Sequence, residues 1–422
     1  MDISLIITLL VMLFLIIGFL SGKFKLGLVA MTATTILYLT GVLEFSEAYA
    51  YFSDKNVIMV GAIFILSGAL SKTSLVPFLK NLIMKHSDKG GLIIFLYLLA
   101  NAVLIQFSMP TALVAMMLPF MAAFSSESKI QPSHVLLPGV VVAHCWQGMF
   151  PGVFFAMLNS FLEAAGSEYQ LGMLDYTKVV AIPAIFALLY MALVGWRGFP
   201  AAGLANASAD MKQEKAESQL TPGKEKLVYI VFIITFAGIL FSNYLPIDMQ
   251  VLPVIADLVL LFCGVLDIND VKNFMNLDAL FMLVGVLPLA TAMQKTGAGT
   301  VVANGILKLL GGNPAPIAIL AAFYFAGALL TQFMNNTATQ NVFVALAVVT
   351  AVELGLDPRA FCVAIFAGCT AAMLTPTGSP SVAIAFGAGG YKIKDVLKVN
   401  LPLWIIYGVL VIFMANLVFP LT

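Results

Sequence analysis

Charge is what this 422-residue sequence has least of: 21 Lys and Arg stand against 21 Asp and Glu, 10% of the chain, with no net charge. Soluble domains carry about 25% charged residues, so the deficit places the chain in a bilayer. Neutrality excludes nucleic acid, or a strongly charged lipid surface, as the partner. Cysteine is nearly missing as well. Cys145, Cys263, Cys362 and Cys369 lie in apolar stretches without CxxC spacing. They read as small core residues, not as disulfides or transition-metal ligands. Three histidines, His86, His134 and His144, form no HExxH pair, and no Gly-x-Ser-x-Gly elbow occurs. Neither an enzyme nor an organic cofactor is expected.

What is abundant is apolar sequence, 61% of the chain, enough for about ten helices at roughly 20 residues per crossing. Crossings are expected near 3–22, 26–43, 56–71, 135–160 and 177–196, then near 227–244, 249–266, 279–295, 361–387 and 400–420. The first lacks the basic start of a signal peptide, and its small-residue cleavage signal is not followed by soluble sequence, so it reads as a membrane helix. Two long apolar segments, 91–124 and 315–350, carry polar or proline residues at their middles. Each is expected to be a re-entrant hairpin, the alternatives being two ordinary crossings or one long tilted helix. Non-helical backbone at membrane depth must be buried in protein or line a cavity.

The one polar linker, 197–226, divides the chain into 1–196 and 227–422. The halves share local matches: Ala69 to Ser74 with Ala292 to Gly297, Thr111-Ala112 with Thr337-Ala338, and Met149 to Gly152 with Leu374 to Thr377. All three fall near one offset, which indicates an internal repeat. Lys23, Lys25, Lys72, Lys80, Lys85, Lys89, the linker, Lys392, Lys394 and Lys398 mark one side as cytoplasmic, and the acidic 161–176 loop marks the other as outer. Five crossings per half then put both termini outside and invert the second repeat; Lys295 and Lys308 are left on the unfavoured side. The expected fold is an all-α polytopic membrane protein of two inverted repeats, each with a re-entrant hairpin and a broken helix, in the cell membrane.

Two polar runs interrupt this apolar background. Asn335-Asn336-Thr337-Ala338-Thr339 lies in the second hairpin, and Thr375-Pro376-Thr377-Gly378-Ser379-Pro380 in the helix that follows. Side-chain amides and hydroxyls are expensive in hydrocarbon unless they bind something. Proline and glycine leave backbone carbonyls and amides unpaired. The bland alternative is that Asn and Thr bridge tightly packed helices.

With these motifs the second half resembles the divalent-anion:sodium symporters of the ion-transporter superfamily, over about 278–400 and more weakly over 56–160. Members carry a Ser-Asn-Thr-type motif at each hairpin tip and a Thr-Pro-rich break in the next helix. The resemblance implies a sodium-binding set of Asn335, Asn336, Thr337, Thr339, Thr375 and Gly378, with Ser108 and Gly148 from the first half. It implies a small divalent anion, a dicarboxylate or sulfate, on Thr111, Asn336, Thr337, Thr377 and Ser379. It further implies an elevator-type homodimer, with surface helices over Thr73–Lys89 and Ala298–Leu310. The first half departs from the pattern, reading Met109-Pro110-Thr111 at the tip and Ala143 to Gly152 without Thr-Pro-Thr-Gly at the break. Helix N-termini offer an anion unpaired amides and partial positive charge, and no Lys or Arg falls in this site. His144, deep in a crossing, is a candidate for carrying a coupling proton, or else a neutral histidine bonded to a neighbouring carbonyl. A proton-coupled or exchanging anion carrier is therefore the alternative to sodium symport. Asp257 is a second buried candidate, or a scaffold residue near a helix end.

Overall fold

The apolar runs form α-helices in the computed structural model, which describes residues 2–21, 23–74, 90–107, 110–111, 113–114, 131–150, 153–199, 220–241, 244–333 and 336–421. Helices α1 (Ile3–Ser21), α2 (Leu26–Leu39), α3 (Phe45–Ala48) and α4 (Lys55–Ser71) come first. They are followed by α5 (Gly90–Leu104), α6 (Leu136–Trp146), α7 (Val153–Ala164) and α8 (Asp175–Leu193). The second half opens with α9 (Pro222–Leu240), α10 (Leu252–Phe262), α11 (Ile268–Phe274), α12 (Leu277–Thr296) and α13 (Ala298–Leu309). It closes with α14 (Pro316–Leu330), α15 (Asn336–Glu353), α16 (Pro358–Thr370), α17 (Pro380–Gly389) and α18 (Ile393–Val418). No strand occurs among the described residues.

Local chemistry sets the helix starts. The Asp54 carboxylate accepts from the amides of Asn56 and Val57 at 3.0 and 2.9 Å, opening α4. Asp267 does the same for Asn269 and Asp270 at α11, and Asp357 for Arg359 at α16. Each satisfies amide groups that a first helical turn leaves unpaired. Pro316, Pro358 and Pro380 stand in the first turns of α14, α16 and α17, where the missing N–H costs nothing.

Helices α8, α12 and α18 are long and apolar enough to cross a membrane by length and composition. Helices α1 and α9 have 19 residues each, as α8 does, and several other apolar helices are shorter. The expected spans 135–160 and 361–387 are each split in two, α6 from α7 and α16 from α17. The expected span 249–266 reduces to the 11-residue α10 behind a single 3₁₀ turn; at 1.5 Å per residue that helix rises about 17 Å. Segment 315–350 is not one long helix: α14 stops at Leu330 and α15 starts at Asn336. Of the two amphipathic stretches, 298–310 is the helix α13 with Leu309 exposed. Residues 75–89 lie outside the described residues.

Loops gather at two opposite ends. At one, Lys72 meets Asp270 at 2.8 Å, Ser74 meets Glu225, and Lys224 donates to the Gly264 carbonyl. At the other, Lys295 meets Glu47 at 2.7 Å, Gln294 donates to the Ala165 carbonyl, and Arg359 lies 4.7 Å from the ring centres of both Tyr169 and Phe419. Lys295, one of the two charges that the sequence-based orientation leaves on the unfavoured side, is thus paired with Glu47.

With α13 and α15 left out, the helices α1–α8 line up in order with α9–α12, α14 and α16–α18. Packing is reciprocal as well: α2 lies along α12 while α10 lies along α4, and α8 pairs with α18. The α2–α12 contact is the most extensive, and Gly285 makes it possible. A Cβ there would sit 2.5 Å from the Ala30 carbonyl carbon, and the Thr34 hydroxyl donates to the Gly285 carbonyl at 2.7 Å. Such close backbone approach through a small residue is how membrane helices gain contact without a hydrophobic driving force. The core sits around α16, buried on every face from Ala360 to Thr370.

Candidate functional site

The two polar runs meet at one place. Between α14 and α15 the chain turns at Thr331 to Phe333, and the break between α16 and α17, residues 371–379, lies against that turn. Gln332 is the joint. Its side-chain nitrogen donates to the carbonyls of Ala328 (2.8 Å) and Ala371 (3.0 Å). Its side-chain oxygen accepts from the amides of Met373 (3.1 Å) and Leu374 (2.9 Å). Its own carbonyl accepts from the hydroxyls of Thr375 and, at 2.8 Å, Thr377. Gly378 completes the contact, since a Cβ there would fall 2.7 Å from the Thr331 carbonyl oxygen and 3.1 Å from the Gln332 Cα. Behind the break, Asn400 donates to the Met373 carbonyl at 2.6 Å.

The first half has its own joint. After α5, the Gln106 nitrogen donates to the carbonyls of Ala102 and Trp146, both at 2.8 Å, and its oxygen accepts from the Phe150 amide at 2.9 Å. This break is anchored from α8, where the Thr177 hydroxyl donates to the Met149 carbonyl and Tyr176 to that of Gln147 at 3.3 Å. Gly148 turns the chain with φ of 83°, a left-handed conformation that glycine adopts without strain.

Between the two joints lies a cavity of about 670 Å³. Thr111, Gly148, Asn336, Thr337 and Ser379, five of the residues singled out in the sequence, line it together. Gln106, Gln147, Gln340 and Asn341 add amides, Ser67, Ser71, Asn273 and Asn276 come from α4 and the α11–α12 region, and Phe150, Phe154, Phe236 and Phe274 form an aromatic wall. Among the described residues no Asp, Glu, Lys, Arg or His is part of the lining. Asn336 and Thr337 are the first residues of α15 and Pro380 is the first of α17, so two helix N-termini open into the space.

The remaining expected residues sit elsewhere. Thr375 and Thr377 are spent on the Gln332 carbonyl and on each other (3.0 Å) and do not line the cavity. Thr339 is fully buried in α15 and Gly378 is packed against the tip. Asn335 and Ser108 lie outside the described residues. Sequence reasoning missed Asn341, which is fully buried and donates to the Thr337 carbonyl at 2.7 Å. Its side-chain oxygen has no hydrogen-bond partner. The signal was available: Asn341 lies one helical turn beyond Thr337, hence on the same face of α15.

His144 is fully buried behind this cavity and joins the two broken helices. Nδ1 lies 2.7 Å from the Thr370 carbonyl and Nε2 2.8 Å from the Ser381 hydroxyl. A carbonyl only accepts, so Nδ1 carries the hydrogen and Nε2 of the neutral ring accepts from Ser381. Ser381 is in turn 2.7 Å from the hydroxyl of Ser379 on the cavity wall. The Asn336 amide nitrogen is 3.5 Å from Nδ1, where two donors face each other and no bond is gained.

Apolar helices broken at depth around a polar, uncharged cavity define a multi-pass membrane transporter. Comparison with known proteins makes the class specific. The model of the citrate transporter family matches residues 11–365 and 252–421, and the chain belongs to that family. It is 25% identical over 204 residues to an uncharacterised transporter of Escherichia coli (strain K12), covering 48% of this chain and 33% of that protein. It is 22% identical over 167 residues to sodium/sulfate cotransporter 2 of Chlamydomonas reinhardtii, covering 39% and 19%. These matched stretches span a third or less of the relatives' own lengths. The YdaH transporter of Alcanivorax borkumensis has a similar fold, with a TM-score of 0.63 at 14% identity over 90% of this chain and 87% of that one.

Proposed function

We propose that this protein is a secondary active carrier of a small divalent anion, a dicarboxylate or sulfate, driven by sodium. The observation that carries the reading is the cavity, uncharged among the described residues, where Asn336, Thr337 and Ser379 stand at two helix N-termini. A site without a cationic side chain holds an anion through amides, hydroxyls and helix dipoles, each N-terminus supplying about half a positive charge. A bound cation supplies the rest. The donor set suits sodium: it offers amide and hydroxyl oxygens, among them the partnerless Asn341 oxygen, and among the described residues no thiol or imidazole lines the cavity. Family membership and the sodium/sulfate cotransporter relative support the substrate class.

In this reading residues 1–196 and 227–422 are inverted repeats joined by a cytoplasmic linker, 197–226. Support comes from the recurring helix order and from where the halves begin. Helix α9 starts beside Ser74 and Gly264, whereas the matching α1 ends near that level, where the Gly27 amide donates to Asp278. The anion and its ions would cross by an elevator movement within a homodimer.

A second reading, proton coupling, is favoured by the Ser379–Ser381–His144 chain, which links a cavity hydroxyl to a buried imidazole. Uptake of labelled succinate, sulfate and citrate into proteoliposomes, with sodium and proton gradients imposed separately, tests both. Sodium-dependent uptake abolished in Asn336→Ala is the expected result. Uptake that ignores sodium, follows the proton gradient and is lost in His144→Gln would replace the first reading with the second.

A further inference from the structure

Gln332 lies 226 residues after Gln106, the same spacing that relates Thr337 to Thr111. The two side chains make the same set of bonds. Each nitrogen donates back to the carbonyl four residues earlier, Ala102 or Ala328, which fixes the rotamer against its own helix. Each nitrogen also donates to the carbonyl at the start of a helix break, Trp146 or Ala371. Each oxygen accepts from amides further along that break, Phe150 in one half, Met373 and Leu374 in the other. One planar amide therefore spans each break, pairing backbone groups that an interrupted helix would leave bare.

We infer that Gln106 and Gln332 are matched positioning residues that clamp each hairpin tip to its helix break and thereby set the geometry of the candidate binding cavity. The inference rests on the carrier reading above, and it assigns a role to residues outside both polar motifs. Consuming the polar groups of 146, 150, 371, 373 and 374 leaves the intervening and following backbone, at Gly148 and at Ser379, to face the cavity. The clamp also changes the standing of the first half. Its tip has lost the amide of a Ser-Asn-Thr motif, yet Gln106 holds the break just as Gln332 does, which a vestigial site would not require. A glutamine suits the role because an amide carries donor and acceptor on one rigid plane without charge. An apolar residue of equal length would leave two or three buried backbone groups unpaired.

Methionine is the apolar isostere, so Gln332→Met and Gln106→Met remove the bonds with little change of volume. Hydrogen–deuterium exchange on the purified full-length protein reads the clamp without transport. Gln332→Met is expected to speed exchange about tenfold within 371–379 and leave 146–150 unchanged, and Gln106→Met the reverse. In proteoliposomes, KM for whichever of succinate, sulfate or citrate the wild type carries is expected to rise about tenfold, equivalent to about 1.4 kcal/mol, with Vmax changed less than about twofold. Gln332→Glu adds a rescue. A protonated carboxyl group donates and accepts as the amide does, whereas a carboxylate only accepts. Its KM therefore returns toward the wild-type value as pH falls, while that of Gln332→Met does not. His144, Cys145, Tyr176, Tyr324, Cys369 and Tyr407, titratable side chains of this neighbourhood, are common to all three proteins. Unchanged exchange in the facing break, or exchange raised equally throughout, overturns the clamp. Wild-type failure to carry any of the three anions sinks the carrier reading instead, and the exchange pattern still decides the clamp.

Discussion

Replacing Asp257 with leucine should make this protein more stable and leave it active. Asp257 lies in α10, is 6% exposed, and one of its carboxylate oxygens has no hydrogen-bond partner. It borders a second cavity of about 490 Å³ whose other lining residues, among them Val57, Ile58, Ile65, Leu261 and Phe281, are apolar. A buried polar group without a partner costs about 1–3 kcal/mol, and that cost disappears with the carboxyl group. The added methyl groups contribute little, because lipid solvates an apolar side chain about as well as a neighbouring helix does. The expected gain is thus about 1–3 kcal/mol for Asp257→Leu. Asp257→Asn, which keeps a polar head in the same place, should gain less. Thermal denaturation of the detergent-solubilised protein, followed by loss of monodispersity, gives the order leucine above asparagine above wild type. Uptake by both variants should match that of the wild type, since the carboxyl group does not line the cavity between the two helix breaks. A stable Asp257→Leu protein that no longer transports would refute this reasoning and make the carboxyl group part of the coupling machinery.

Two further predictions concern the joints between helices. The Asp270 carboxyl is partly buried, which pushes its pKa up, but the Lys72 ammonium at 2.8 Å and the Asp267 amide outweigh this and hold it below the usual carboxylate range. A group with a depressed folded-state pKa stabilises the fold at pH above its unfolded value, near 3.9, and that contribution is lost as pH falls through the folded value. The wild type should therefore exceed Asp270→Asn by about 1 kcal/mol near neutrality, and the difference should start to shrink as pH falls below about 3.9 and vanish once pH lies below the depressed folded value; a thermal melt at each pH checks it. Gly285→Val should prevent α2 from lying along α12, because its Cβ would fall 2.5 Å from the Ala30 carbonyl carbon and 2.7 Å from the Met31 amide nitrogen. Overpacking of this kind typically costs 1–3 kcal/mol or more, here seen as poor yield or an aggregated chromatography profile, whereas a monodisperse, active Gly285→Val protein would show that the helices can part.

The helix class and the two polar breaks were legible in the sequence because hydrocarbon penalises polar residues so heavily that any run of them stands out. Asn336, Thr337 and Ser379 were found that way, Gly148 through the family resemblance, and all four line the cavity. Thr377, expected at the substrate for the same reason, donates its hydroxyl to the Gln332 carbonyl and is not part of the cavity lining. Gln332 and Gln106 escaped because a lone glutamine has no pattern, and its partners are backbone groups some forty residues away that no side-chain motif reports. The helices α8, α12 and α18 ran close to their expected bounds. The expected crossing at 249–266 did not, because hydropathy sees apolar composition and is blind to where a chain leaves the helix.

The absence of charge around the cavity bears on coupling as well as on binding. Lys72, Lys178, Lys295 and Arg359 are each committed to an acidic partner at one end or the other, so none neutralises an anion at depth. A divalent anion held by dipoles alone keeps its net charge, and moving that charge through a low-dielectric layer is costly. An arginine would lower the cost but would stay in the site when the anion left, leaving the return step to carry a buried positive charge. Under the sodium coupling proposed above, two sodium ions arriving with the anion would cancel its charge on the loaded passage and depart with it, so that the loaded and empty forms would both cross neutral. Uptake of a divalent anion should then be electroneutral at two sodium ions per anion. A membrane potential imposed across the proteoliposome would leave its rate unchanged; a rate that climbs with an inside-negative potential would mean a third cation travels with each anion.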